Sequence, residues 1–479
     1  MAQSKITLTF NKGVMRDLPP GLIPEGYASD LRHIYFEDGI ARKMPGYLSY
    51  YATADANPVN GLFTFTAPNG IIYVMSGTKI NMSKIVNGTK TPLKDDYTGY
   101  DTETASYDAT PWTFAPFGSH ILFTNGIDPV QKFIPDYSAV APIGGSPPLA
   151  RVVRIFQRHA FLLGMPSYPT EVKWSDIDNY EMWTPAEDNE AGGIPLYESK
   201  TYVVGAEGLG DLLVVYTGDQ VHVFQYTGGT YIFSRRVADW KTGLWKKHLV
   251  ATGEGIQAFM SKENFYSFDG TRVSPIGDPI NKEVFAALHT GQMSRAFAFP
   301  VKSRSEIWFC VPLATGSGWP ELACIWNYRN GAWSFDDIFG WGAATDKLPT
   351  TYPILSPLYQ TIYSLGGSEN SYGGEAINSY VDSPEFGGDN PEVHKHILKI
   401  QPEILSTAST IKFAIWTRDN INTSKTWSGD FSFTPATDLK IDIKNVSGKL
   451  WGVRIKSDTL NSPHTIGRIH VWFDDGEQR

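Results

Sequence analysis

Between Asp211 and Gly277 the chain repeats one short layout twice, and that repetition limits its fold more than any other feature. Asp211-Leu-Leu-Val-Val-Tyr-Thr-Gly218 is an apolar run that ends in a Gly-Asp turn, and Val221-His-Val-Phe-Gln-Tyr226 returns from it. Val221, Val223 and Gln225 fall on one face of the returning run, and His222, Phe224 and Tyr226 on the other. Two β-branched and aromatic runs joined by Thr-Gly-Asp-Gln read as a hairpin with a short turn. Thr230-Tyr-Ile-Phe-Ser234 follows as a third expected strand, and the layout recurs in Gly255–Met260, Ser261–Asn264 and Phe265-Tyr-Ser-Phe268 before Asp269-Gly270. Successive small meanders closed by glycine turns predict a radial array of sheets.

The same strand type extends along the chain. Apolar runs begin at Ile71, Ile121, Ala160, Leu212, Phe265, Ile307 and Thr361, 39 to 54 positions apart. Propeller blades repeat roughly every 40 to 50 residues, whereas a sandwich gives single strands every 8–12 or so. Aromatic residues make up 13% of the chain, and the 45 glycines and 31 prolines supply turns, which favours short strands over long helices. The one expected helix is Ile280–Leu288, after Pro279. Around Pro384–Pro391 the texture changes, and beyond it alternating runs such as Ile411–Trp416, Phe431–Phe433, Leu450–Ile455 and Ile469–Phe473 each present one face to water. Residues 1 to about 50 are broken by Pro19-Pro20, Pro24 and Gly26. The expected fold is therefore all-β: a six- or seven-bladed β-propeller over 51–385, an extended N-terminal arm over 1–50 lying along a neighbouring domain or subunit, and a small antiparallel β-sandwich over 386–479.

Several function classes recede on composition. No apolar run of about 18 residues offers a membrane span, and Met1-Ala-Gln-Ser-Lys-Ile-Thr-Leu lacks the apolar core of a signal peptide. Two cysteines, Cys310 and Cys324, exclude a disulfide scaffold; they could face each other across a hairpin, but buried thiols are the expectation. The formal charge of −9 divides unevenly, with +2 on residues 391–479 and −11 on the rest. Neither part shows the basic surplus of a protein that grips phosphates.

Candidate sites are few. Ser106-Tyr-Asp-Ala-Thr-Pro-Trp112 approaches a sialidase-type Asp box but lacks its glycine and register. Glycoside cleavage needs two carboxylates facing one sugar, whereas Asp95-Asp96, Asp336-Asp337 and Asp474-Asp475 would point apart on a strand and read as solvated turns. His394 and His396 would share a strand face, as metal ligands can, but no third ligand has recognisable spacing, so an exposed edge is the expectation. The basic cluster Arg235, Arg236, Lys241, Lys246 and Lys247, interleaved with Trp240 and Trp245, is a candidate nucleic-acid surface or, preferably, a solvated hairpin edge or subunit contact. No Walker A loop, Gly-x-Gly-x-x-Gly or nucleophile elbow occurs, so no catalytic, cofactor-binding or metal residue is expected.

Pro169-Thr-Glu-Val-Lys-Trp-Ser-Asp-Ile177 with Asn179-Tyr-Glu-Met-Trp183 resembles the tail nozzle proteins of short-tailed bacteriophages, also called tail hub or packaged-DNA-stabilisation proteins. The resemblance continues through Arg158–Gly164, Asp211–Gly228, Thr242-Gly243, Phe265–Gly270 and Pro275-Ile-Gly277, and through Leu18–Gly21, Lys43–Gly46 and Lys399–Glu403. It is one of pattern and runs along most of the chain. It implies a structural subunit of the virion tail, made in the host cytoplasm and not an enzyme. Such a subunit forms a homohexameric nozzle tube below the head–tail adaptor protein, retains packaged DNA and conducts it during ejection. The implied partners are itself, the adaptor, tail fibre or tailspike proteins, and double-stranded DNA passing without sequence-specific binding. No cofactor and no membrane insertion are implied. The alternative is a carbohydrate-binding or glycoside-cleaving propeller that uses its many Trp and Tyr as sugar platforms.

Overall fold

The computed structural model describes residues 3–53, 57–98, 112–338, 340–343, 353–357, 361–366, 370–388, 390, 392–406 and 410–475. The Asp-box-like stretch lies outside them except for Trp112.

Seven small sheets follow one another and form the blades of a β-propeller. Blades 1 to 5 are four-stranded meanders over residues 61–94, 113–142, 152–195, 203–239 and 250–275. Blade 6 is built on strands between 297 and 337, and blade 7 on strands between 340 and 365. The first strand of each blade is innermost and neighbours its counterparts on both sides, and the strand Gly340–Ala343 of blade 7 returns to Gly61–Thr66 of blade 1.

Blade 4 shows why these sequences make such sheets. Leu212–Thr217 pairs antiparallel with Val221–Tyr226, setting Leu213 opposite Phe224 and Tyr216 opposite Val221. Each blade is stacked between two others, so both its faces need apolar residues and the strands read as near-continuous hydrophobic runs. Val221 and Val223 enter the core shared with blade 5, while Phe224 enters the one shared with blade 3, where it packs beside Phe161, Trp174 and Phe233. The alternation expected for this hairpin is thus present. The outermost strand, however, is Phe233–Asp239; Thr230–Ile232 belong to the connection, which carries Gly228 at φ +64°.

Residues 3–50, expected as part of an extended arm, are not separate from the two bodies. Seven strands lie between Gln3 and Tyr51 and are distributed over both. Tyr47–Tyr51 pairs antiparallel with Ile362–Leu365 and so completes blade 7 with a strand from the opposite end of the chain. Phe10–Val14 and Gly26–Ala28 extend blade 6 in parallel. Gln3–Leu8 runs against His464–Asp475, from Gln3 opposite Asp474 to Leu8 opposite Ile469. The segment is too short to build a core of its own, so its apolar residues find burial in distant partners instead.

The C-terminal body is a two-sheet sandwich. One sheet holds the two long strands Lys395–Ser406 and His464–Asp475, with Ile34–Glu37 and Ile40–Lys43 beside them. The other orders Asp30–Arg32, Ser379–Asp382, Leu450–Ser457, Ile411–Arg418 and Thr426–Phe433. Trp451 of the second meets Phe473 of the first with ring centroids 5.6 Å apart. The sandwich thus takes in strands on both sides of the expected 386 boundary. Its core is continuous with that of blades 4 to 6 through Val14, Phe36, Trp333 and Phe335.

The expected helix is present as Asn281–Ala287, and its start is capped from far away. The Asp17 carboxylate accepts from the Lys282 and Glu283 backbone N–H groups at 2.7 and 3.1 Å. A carboxylate placed there satisfies otherwise orphaned donors.

Candidate functional site

The innermost strands of blades 1 to 6 enclose a cavity of about 480 Å³ on the propeller axis. Its wall is mainly apolar, with Leu62, Phe63, Phe114, Ile155, Leu213 and Phe297 among the lining residues. Three charged side chains also line it: Arg154 from blade 3, Glu207 from blade 4, and Lys247 from the approach to blade 5.

Arg154 interrupts the apolar strand Val152–Phe156, and neighbouring strands hold its guanidinium. Nε donates to the Ala206 carbonyl at 2.9 Å, Nη1 to the Val153 carbonyl at 2.9 Å, and Nη2 to Glu207 Oε2 at 3.1 Å. Lys247 is buried, with 6% of its surface exposed. Its Nζ donates to the Arg151 carbonyl at 2.8 Å. Burial pushes the ammonium well below its usual value, and the positive charges of Arg154 and Arg151 push the same way. An amine in an apolar wall beside two guanidiniums is an arrangement in which a bound anion would favour the charged form.

The basic cluster read from the sequence is not one surface. Adjacent strand residues point to opposite sides, so Arg235 pairs with Glu198 and lies 3.2 Å from His222 Nδ1, while Arg236 donates to the Gly270 carbonyl. Lys247 faces the axis instead, and Lys246 is half-buried. Trp240 is exposed, whereas Trp245 stacks on Phe285 at 6.3 Å. Arg154 and Glu207, missed in the sequence reading, had one visible signal: a lone charge inside an innermost, otherwise apolar strand.

Two further polar clusters are partly buried. Asp219, in the blade 4 turn, accepts from Ser199 Oγ at 2.6 Å, Thr201 Oγ1 at 2.8 Å, Thr217 Oγ1 at 2.9 Å and the Lys200 N–H at 3.0 Å. Burial alone would raise its pKa, but those hydrogen bonds outweigh it and hold the carboxyl at about 2. The loop 240–244 packs on the same turn so closely that a Cβ at Gly243 would stand 2.2 Å from Asp219 N.

The second cluster corrects the reading of Asp336-Asp337 as a solvated turn. These residues end the blade 6 strand Trp333–Asp337, and Asp336 is buried. Asp336 Oδ1 accepts from Tyr372 Oη at 2.6 Å and pairs with His33 Nδ1, while His33 Nε2 lies 3.2 Å from Asp337 Oδ2. Burial would lower the His33 pKa, yet the two carboxylates raise it to about 9.

Among the described residues no group of three or more His, Cys, Asp or Glu is placed to hold a metal ion. His394 and His396 are exposed, but His396 lies on a strand paired on both sides, opposite Ser447 and Asp474, rather than on an edge; His394 Nε2 is 3.5 Å from Asp419. Cys310 and Cys324 are free and buried on neighbouring strands but one register step apart, Cys310 opposite Ala323 and Cys324 opposite Phe309. Their side chains therefore enter different cores.

No family model matches the chain, and no curated protein matches it. Solved structures of low identity do. A computationally designed protein, Ika8, is 10% identical with a TM-score of 0.41, over 74% of this chain and 99% of that one. Virginiamycin B lyase from Staphylococcus aureus is 10% identical with a TM-score of 0.44, over 66% of this chain and 98% of that one. YCF48 bound to a D1 peptide is 8% identical with a TM-score of 0.41, over 68% of this chain and 98% of that one. The propeller architecture rests on the sheets themselves, and no activity passes from these chains to this protein.

Proposed function

We propose that this chain is a structural subunit of a short phage tail, forming a hexameric nozzle tube below the head–tail adaptor that retains packaged DNA and conducts it during ejection. The sequence resemblance suggests the reading, and the observation that supports it best is the interlocking of the chain's two ends. Gln3–Leu8 is hydrogen-bonded along His464–Asp475, and Tyr47–Tyr51 closes the blade ring. Opening the propeller at blade 7 therefore strips a strand from a segment that is also anchored in blade 6 and the sandwich. A subunit that holds a packed polymer in place gains from such mutual anchoring, because no one element can detach alone.

The experiment is native mass spectrometry with negative-stain imaging of the purified protein, alone and mixed with tail-less particles. Six-fold rings or incorporation into the particle are expected. A chain that stays monomeric in both and binds host polysaccharide saturably would overturn the reading in favour of a carbohydrate-binding propeller. A duplex-DNA titration adds a second check. With −11 on residues 1–390, negligible affinity is expected even at low salt, because a conduit that bound many phosphates would not let DNA slide.

A further inference from the structure

Lys247 is more than nine-tenths buried, yet among the described residues its ammonium, with three N–H donors, has one acceptor, the Arg151 carbonyl. Arg154 uses three of its five N–H donors on Ala206, Val153 and Glu207. Both side chains line the same axial cavity, where Glu207 is the sole carboxylate among the lining residues and already accepts from Arg154. Buried cations are ordinarily paired, since leaving one without a counter-charge sacrifices its hydration with nothing in return. The rest of the wall is mainly apolar, with Asn60, Thr113 and His248 as its other polar members, and about 480 Å³ is a volume typical of small-molecule sites.

We propose that the axial cavity is a binding site for a small organic anion, whose carboxylate meets Lys247 and Arg154 and whose apolar body lies against Leu62, Phe63, Phe114 and Phe297. The carboxylate supplies the acceptors that the two cations lack, and charge-assisted hydrogen bonds of this kind are the strong ones. The apolar walls gain from covering hydrocarbon rather than water. Inorganic phosphate fits less well, because it sheds a larger hydration shell and leaves the walls uncovered. Binding would also restore the ammonium, which burial and the neighbouring guanidiniums otherwise drive toward the neutral amine. The site is independent of the tail reading, since it lies within a single chain.

The test is calorimetric titration of the full chain with 4-bromobenzoate, 4-bromobenzyl alcohol and inorganic phosphate, followed by a crystal structure with the bromobenzoate. Saturable one-to-one binding of bromobenzoate is expected, with bromine density in the axial cavity and at least tenfold weaker binding of the alcohol and of phosphate. Lys247→Met, which keeps most of the length and removes the charge, should weaken bromobenzoate at least tenfold. The three ligands on the unmodified chain decide the matter even if that variant does not fold. No saturable binding, bromine density elsewhere, alcohol or phosphate bound as tightly as bromobenzoate, or unchanged affinity in a folded Lys247→Met chain would each overturn the proposal.

Discussion

Asp219 illustrates how one side chain can fix several connections. Its carboxylate gathers donors from Ser199, Lys200, Thr201 and Thr217, joining the loop between blades 3 and 4 to the blade 4 turn. Replacing it with Ala leaves those donors without their acceptor, and a loss of about 3 kcal/mol in urea unfolding is expected. The pH dependence has a definite sign. A carboxyl held at about 2, below its ordinary 3.8, contributes stability that is present above pH 4 and lost as pH falls toward 2. Acid titration of the Asp219→Ala chain should therefore lack that part of the stability loss shown by the parent. The turn at Thr217–Gln220 was legible in the sequence, but its role as an anchor was not, because Ser199 and Thr201 reach it from another strand connection. The basic cluster failed for a related reason. Charges close in sequence were read as close in space, whereas strand alternation sends Arg235 and Arg236 to opposite sides and the following loop carries Lys247 to the axis.

At the scale of elements, the regular blades were readable because their strands are buried on both faces and carry runs such as Leu212–Thr217 and Glu306–Pro312. The strand that completes blade 7 was not, since Tyr47–Tyr51 is a half-exposed pentapeptide whose pairing partner lies more than 300 residues away. The clasp beside it is equally non-local. His33 from the N-terminal segment, Asp336 and Asp337 from blade 6, and Tyr372 next to blade 7 meet in one cluster around the buried His33 and Asp336. With its folded pKa raised from 6.5 to about 9, His33 contributes stability that is fully present below pH 6.5 and is lost as pH rises through 9. A melting temperature that falls between pH 7 and 10 is expected, and His33→Asn should flatten that fall while lowering stability at neutral pH by an amount on the order of 2 kcal/mol. An unchanged slope in the variant would remove His33 from the account.

For the whole molecule, the weave of residues 3–51 changes what truncation should do. Were residues 1–50 a separate arm, deleting residues 2–20 would spare the propeller. In the structure it removes Gln3–Leu8 from the sandwich, Phe10–Val14 from blade 6 and the Asp17 cap of the helix Asn281–Ala287. It also removes Arg16, whose guanidinium lies 4.4 Å from the Phe335 ring and pairs with Asp30 and Glu283. Calorimetry of the truncated chain should show both bodies destabilised, with a lowered and broadened transition rather than an intact propeller. The pairing of the two chain ends also sets a clock on the protein's birth. Ile6 waits for Val471, and at roughly 5 to 20 residues per second of synthesis the first strand is exposed for about 25 to 90 seconds before its partner leaves the ribosome. During that interval the newborn chain carries an unsatisfied β edge, so faithful production depends on how well the cell shields it.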